Sequence, residues 1–244
     1  RVFANPVEQD GSLTGAVLII MDVTEQERRE TLRREFATNV SHELKTPLTS
    51  ILGTAEILRD GLVRPEDVSH FSGNIYREAQ RLLGLVNDLI ELSRLDAGGS
   101  PTEWEKVSLR KVAASVVDPL TQAAEQKQVR VSLAGDCGSI KGVPQIVEEV
   151  IYNLCDNAIA YNRPGGSVEI SLSRQGGECR VRVADTGIGI PREKQTRVFE
   201  RFYRVDKSHS SGGTGLGLSI VKHGTAYLGG RVELVSEPGK GSAF

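Results

Sequence analysis

The sequence predicts a multi-domain chain: an all-α helical hairpin that pairs with a second copy into a dimeric four-helix bundle, followed by an α+β sandwich. Three observations carry this. Apolar residues recur at helical spacing from Leu32 to Leu92, with one break at Gly61 and Pro65. A small-residue stretch, Ala97-Gly-Gly-Ser-Pro101, then interrupts the pattern. Beyond it, strand-like and helix-like segments mix without a regular βαβ repeat, as expected of one sheet with helices on one face.

The first apolar segment, residues 13 to 23, follows the turn-like Asp10-Gly11-Ser12 and reads as a strand entering a charged helix near Thr24. A lone strand is not stable, so it reads as the last piece of a preceding sheet domain. From Glu25 to about Asp60, Leu32, Phe36, Val40, Leu44, Leu48, Ile51, Ala55 and Leu58 form one stripe. A helix of that length reaches about 54 Å, typical of a bundle arm. A second helix is predicted from Pro65 to Asp96. There Ile75, Leu82 and Leu89 recur every seven residues, with Phe71, Leu85 and Leu92 beside them. Each helix has one stripe to bury, and a homodimeric bundle buries both. Past the linker, helices are predicted at 108–127, 144–161 and 215–228, and strands near 129–133, 167–173, 178–184 and 230–236.

Composition narrows the function classes. The 244 residues are 25% charged and 39% hydrophobic, which excludes a disordered tail, a fibre and a small disulfide-stapled module. Thirty Lys and Arg against 32 Asp and Glu leave a net charge of -2, so no broad nucleic-acid-binding surface is expected. Cys137, Cys155 and Cys179 show no CxxC spacing and read as buried thiols in a reducing compartment. The longest apolar run, Gly15 to Met21, falls short of the roughly 20 residues that span a bilayer. The chain opens at Arg1 without a start methionine and closes just after Pro238-Gly-Lys-Gly241. That reads as a fragment of something longer, with room for a membrane anchor upstream.

Four motifs bear on chemistry. In Phe36-Ala-Thr-Asn-Val-Ser-His-Glu-Leu-Lys-Thr-Pro-Leu48, His42 sits about 200° round the helix from Val40 and from Leu44, so its imidazole faces solvent. An exposed imidazole with an ordinary pKa near 6.5 is partly neutral at pH 7 and is a competent nucleophile toward phosphorus; taken alone, a surface histidine on a solvated face is the commoner case. Pro47, five residues on, withholds the amide hydrogen that the Glu43 carbonyl would accept and implies a bend. Asn153 and Asn157 are four apart on one predicted helix face. Their side-chain oxygens suit magnesium shared with nucleotide phosphates, although an asparagine pair is more often a helix-surface hydrogen bond.

The third motif, Val183-Ala-Asp-Thr-Gly-Ile-Gly-Ile-Pro191, leaves the end of a predicted strand. Its two glycines let backbone approach a flat ligand while Asp185 accepts from an exocyclic amine such as adenine's; a plain Asp-Thr-Gly turn fits equally well. The fourth, Ser208 to Ser219, is a small-residue loop running into a helix whose early amides can receive a phosphate. It matches neither the Walker nor the dinucleotide glycine fingerprint. Between these two lie Phe199, Phe202 and a polar stretch of the kind that folds over a nucleotide as a lid.

Taken in order, these motifs resemble the sensor histidine kinases of bacterial two-component systems, of the phosphate-regulon type. Ser41 to Leu48 is similar to their phosphoacceptor box, Asn153 to Asn157 to the asparagine box, Asp185 to Gly189 and Gly213 to Gly217 to the two glycine boxes, and Phe199 to Phe202 to the phenylalanine box. The resemblance covers about residues 24 to 244. It implies a PAS-like remnant at 1–23, a dimerisation and phosphotransfer hairpin at 24–97, a linker at 98–102 and a Bergerat-type ATP-binding domain at 103–244. ATP and magnesium are the implied cofactors, and a homodimer and a cognate response regulator the implied partners. The implied location is the cytoplasmic part of a membrane-anchored protein. His42 is the implied acceptor of the γ-phosphoryl group, Glu43 its acid-base partner, and Thr46 the residue that orients water in regulator dephosphorylation. The implied nucleotide site comprises Asn153, also the metal ligand, with Asn157, Tyr161, Asp185, Gly187, Gly189, Ile190, Arg204, Gly213, Thr214, Gly215, Leu216 and Gly217.

Two departures stand out. Many relatives carry a phosphate-binding Lys where this chain has Ala160, and Arg163, Arg201 and Arg204 are the candidates to replace it. The usual His-Gly-Gly near the last helix reads Leu228-Gly229-Gly230. The rival readings are a catalytically weak ATP-binding scaffold and a Bergerat-type ATPase. The second has no use for an exposed His beside an acid.

Overall fold

A computed structural model describes residues 1–9, 12–96, 104–205 and 213–244. The 98–102 linker and much of the loop before Gly213 lie outside the described residues. Two compact units emerge, Arg1–Thr46 and Pro47–Phe244.

The first unit opens with an antiparallel hairpin of β1 (Val2–Gln9) and β2 (Ser12–Ile20), Val2 opposite Ile20. The strand read as the last piece of a preceding sheet thus finds a partner within this chain. Periodicity hid β1 because Asn5 and Pro6 interrupt it, yet an edge position tolerates a proline, and Pro6 pairs with Ala16. Asp22 accepts the Thr24 amide at 2.9 Å, and α1 (Thr24–Arg59) begins there with Glu25 and Glu27 in its first turn, where acids suit the helix dipole. The helix runs unbroken through Pro47.

Within the second unit, α1 stops where Gly61 takes φ +66° and the Leu62 amide reaches back to the Ile57 carbonyl at 3.1 Å, a Schellman ending. A 3-10 turn at Pro65–Asp67 leads into α2 (Val68–Asp96). In α2 the buried residues are Leu85, Leu92 and Leu95. Sequence periodicity assigns Leu85 and Leu92 to the bundle seam; the structure packs this end of α2 on α5 (Gly217–Tyr227). Helical period reports that a stripe is buried and is silent on which partner buries it.

The rest is an α+β sandwich. Its five-stranded sheet has the order β4 (Arg130–Gly135), β6 (Ser167–Gln175), β7 (Glu178–Asp185), β9 (Gly241–Ala243) and β8 (Val235–Glu237), with β4 and β6 parallel and the other pairs antiparallel. A separate two-stranded ribbon joins β3 (Glu105–Ser108) to β5 (Ser139–Gly142). Both ribbon strands are too short to show a period, and neither was predicted. The strand expected at 230–236 forms only from Val235, because Ser236 pairs with Ser242 and Glu237 with Gly241 across the Pro238 turn.

Alternation decides the sheet's inner face. Val168, Ile170 and Leu172 of β6 and Val183 of β7 point inward onto α3 (Leu109–Gln126) and α4 (Pro144–Ala160). Ser108 caps α3, and Leu109, Ala113, Val116, Leu120 and Ala124 make its buried stripe. Pro144 opens α4, whose buried face comprises Ile146, Val147, Ile151, Leu154, Cys155, Ala158 and Ile159. Burial pushes the Cys155 thiol up to about 12, which makes it a packing group rather than a nucleophile. Of the three cysteines expected to be buried, Cys179 is only half-buried, near the start of β7.

Ile151, 1% exposed at the centre of this core, sets a stability test. Ile151→Ala is expected to lower unfolding free energy by about 2–5 kcal/mol, read as a reduced urea midpoint at unchanged slope.

Candidate functional site

A cavity of about 530 Å³ opens in the second unit between α4, the loop after β7, the start of α5 and the end of α2. Helix α4 has two faces. Its apolar face is in the core, and its opposite face lines the cavity with Asn153, Asn157 and Tyr161. The amide nitrogens are spent within the helix: Asn153 Nδ2 donates to the Glu149 carbonyl at 2.9 Å, and Asn157 Nδ2 to the Asn153 carbonyl at 2.7 Å. That leaves both Oδ1 atoms as acceptors.

Asp185 ends β7 at the cavity wall. Its Oδ1 accepts the Gly187 amide at 2.7 Å, and burial raises its pKa against the opposing hydrogen bonds from the Gly187 and Ser242 amides. The loop beyond turns sharply. Ile188 donates to the Tyr161 carbonyl at 3.2 Å, Gly189 takes φ +67°, and Ile190 donates to Ser236 Oγ at 2.8 Å. These bonds bind the end of α4, the loop and β8 together around the acid.

The second glycine stretch closes the other side. A Cβ on Gly217 would stand 2.6 Å from Asn153 Oδ1, so a larger residue at the start of α5 has to displace the Asn153 side chain. The Phe202 amide donates to the Gly215 carbonyl at 2.9 Å, which ties the phenylalanine segment to the loop. Phe199 meets Phe244 edge to face at 6.2 Å and acts as a packing anchor.

Most of the sequence-predicted site residues converge here. Asn153, Asn157, Tyr161, Asp185, Gly189, Ile190, Arg204, Gly213, Thr214, Gly215 and Gly217 line the cavity; Gly187 and Leu216 do not, Gly187 being held under Asp185 and Leu216 fully buried. Of the three arginines weighed as replacements for the missing lysine, Arg204 alone lines the cavity. Arg201 is bound to Asp96 at 2.7 and 2.9 Å. The C-terminal carbonyl of Ala160 itself receives Lys127 Nζ at 2.7 Å.

His42, Glu43 and Thr46 belong to the other compact unit. His42 is exposed, and Thr46 donates its hydroxyl to the His42 carbonyl at 3.1 Å.

Sequence reasoning missed several lining residues. Glu149, Tyr152 and Asp156 sit four before, one before and three after Asn153, so helical spacing from the asparagine pair pointed to Glu149 and Asp156. All three have raised pKa values, from burial first and then from neighbouring acids for Glu149 and Tyr152; Lys127 opposes the shift at Asp156. Arg81, Asn87 and Asp88 come from α2 and belong to no motif.

Two family descriptions match the chain. Residues 32–98 match the His Kinase A (phospho-acceptor) domain, and residues 142–244 the histidine kinase-, DNA gyrase B- and HSP90-like ATPase. The sensor-like histidine kinase SenX3 of Mycolicibacterium smegmatis is 40% identical over 232 residues, covering 94% of this chain and 60% of SenX3. The chain thus spans about three fifths of that relative's length. Among solved structures, the Acinetobacter baumannii histidine kinase AdeS aligns with a TM-score of 0.69 at 25% identity, over 83% of this chain and 94% of AdeS. Full-length ShkA in complex with AMPPNP aligns with a TM-score of 0.62 at 29% identity, over 86% of this chain and 44% of ShkA.

The tight approach at Gly217 yields a test. Gly217→Ala is expected to weaken binding of a fluorescent adenine nucleotide by about tenfold or more by displacing Asn153. Gly53→Ala, whose added methyl meets nothing within 4 Å, is the control expected to leave affinity unchanged.

Proposed function

Because the chain belongs to the sensor histidine kinases of bacterial two-component systems, we propose that it autophosphorylates on His42 with ATP and passes the phosphoryl group to an aspartate of a response regulator. The single observation that carries the reading is the convergence of Asn153, Asn157, Asp185 and the Gly213–Gly217 loop on one cavity, in a chain that also carries an exposed histidine beside an acid. ShkA, aligned over most of this chain, holds AMPPNP, which supports an ATP-type ligand for the cavity.

In this reading the adenine amine donates to Asp185, and the phosphates run toward the amides after Gly213 and toward Arg204. An imidazole nitrogen of His42 attacks the γ-phosphorus as the bond to the ADP oxygen breaks. The ring proton leaves to Glu43. Adjacent side chains on a helix do not face each other, so Glu43 acts by reaching back round α1. Thr46, one turn on, orients the water that hydrolyses the regulator's phosphoaspartate.

The donor set fits magnesium. Asn153 Oδ1 is left as an acceptor, and Glu149 Oε1 lies 3.4 Å from Asn153 Nδ2, an all-oxygen surface poor in ligands of its own and suited to a cation shared with phosphates. Bound there, the ion supplies neutralisation of charge on the transferring group.

A homodimer accounts for the apolar residues left exposed on the hairpin. Leu48, Leu52, Ile57, Leu83 and Ile90 are each between 39% and 57% exposed in the single chain, and a second copy covers such a stripe as a four-helix bundle. No described helix is long and apolar enough to cross a membrane; an anchored location for the whole protein rests on the family alone.

Incubation with γ-labelled ATP and magnesium is expected to give acid-labile label on the wild type and none on His42→Ala; equal labelling of both refutes the acceptor. A pH series tests Asp185. Burial raises its pKa, so on acidification it takes up a proton and loses its role as acceptor at a higher pH than an ordinary aspartate. Adenine nucleotide affinity is expected to hold steady at neutral pH and to fall on acidification before the usual carboxylate range is reached. Asp185→Asn should flatten that fall, and an identical profile in both proteins removes Asp185 from the site.

A further inference from the structure

The cavity has a wall that belongs to no recognised motif. The last turns of α2 place Asp88 on it, with its carboxylate 2.6 Å from Thr214 Oγ1, and Thr214 Oγ1 in turn accepts the Leu216 amide at 3.2 Å. Thr214 stands in the glycine loop assigned above to phosphate. A carboxylate thus occupies the phosphate side of the cavity and engages a hydroxyl of the loop that receives the anion.

The placement is built rather than incidental. Asp88 shares one α2 stripe with Leu85, Leu92, Leu95 and Asp96, at offsets of three, four, seven and eight residues. Leu85, Leu92 and Leu95 are buried, and Leu95 approaches Gly224 of α5, where an added Cβ would lie 4.0 Å from it. Asp96 closes the far end on Arg201 at 2.7 Å and on His223 Nδ1 at 3.4 Å. Arg81 also lines the cavity, but ion-paired with Glu78 at 3.9 Å.

We propose that Asp88 is a specificity-determining residue of the nucleotide site, one that opposes phosphate in proportion to its charge while α2 is seated on α5. The inference rests on the nucleotide reading of the cavity. Like charges at short range in a poorly hydrated site repel strongly, and bulk salt screens them little. Adenosine brings no phosphate charge, ADP brings less than ATP, and the penalty rises in that order. By linkage, whatever weakens ATP binding when α2 is docked is matched by a weakening of docking when ATP binds. ATP thereby loosens the catalytic module from α2.

Isothermal titration of the 244-residue chain with adenosine, ADP and ATP at fixed magnesium tests this. In Asp88→Asn the affinity is expected to rise by about tenfold for ATP and about threefold for ADP, and to stay within about twofold for adenosine. Asp96→Ala, outside the cavity, is expected to give the same order of gains by unseating α2, and to add nothing in the Asp88→Asn background. If Asp88→Asn does not fold, the order of gains in Asp96→Ala alone decides. Equal gains for all three ligands, or weaker ATP binding in either variant, overturns the proposal. Wild type that binds none of the three overturns instead the nucleotide reading beneath it.

Discussion

The two-faced helix α4 is the constraint on which the rest of the second unit depends. Its apolar residues, Ile151 and Cys155 at 1% exposure among them, lock it to the sheet, so its polar face is held at a fixed height over the cavity. The i, i+4 spacing then places Asn153 and Asn157 one turn apart, with their amide nitrogens consumed inside the helix. The outward chemistry of the pair is consequently all acceptor, which is what a cation bridging to phosphate requires. Neither asparagine has rotational freedom to spare, because Gly217 brings α5 against both.

Around that fixed face the charges are arranged at some cost. Glu149, Asp156 and Asp88 all have pKa values raised by burial, and Glu149 also feels Glu91 and Asp88. A group of partly buried acids beside a site for an anionic ligand is unfavourable unless a cation or a conformational change relieves it. A magnesium ion held with the nucleotide, as proposed above, would relieve the part near Asn153 and Glu149. The part at Asp88 is relieved when α2 leaves, since Asp88 belongs to the hairpin and not to the sandwich.

Sequence legibility followed the reach of each physical rule. His42's exposure followed from an angle round a helix, and the cavity residues from short motifs whose glycines answer to local geometry, as at Gly189 and Gly217. What depends on tertiary partners did not appear. Leu85 and Leu92 had the right period, but a heptad encodes burial without naming what does the burying, so the packing of this end of α2 on α5 was not legible. The β3–β5 ribbon was too short to carry a pattern, and β1 was masked by Asn5 and Pro6. Asp88 belongs to no motif, and only the fold brings it to Thr214, 126 residues away in sequence.

That last juxtaposition bears on how the parts cooperate. The proposed phosphoryl transfer links a histidine of one compact unit to the cavity of the other, and a catalytic module that can move serves such a reaction. A module held by Leu92, Leu95 and the Asp96–Arg201 pair is not free. Apolar burial of this kind sets the strength of the hold and responds little to ligands, whereas a carboxylate facing the phosphate loop responds directly to the charge that arrives there. Dividing the interface this way makes occupancy by the triphosphate, rather than by the nucleoside or the product, the event that shifts the equilibrium toward release. A ligand moves a two-state element only through its differential affinity for the two states. Asp88 supplies that difference at the point where ATP and ADP diverge.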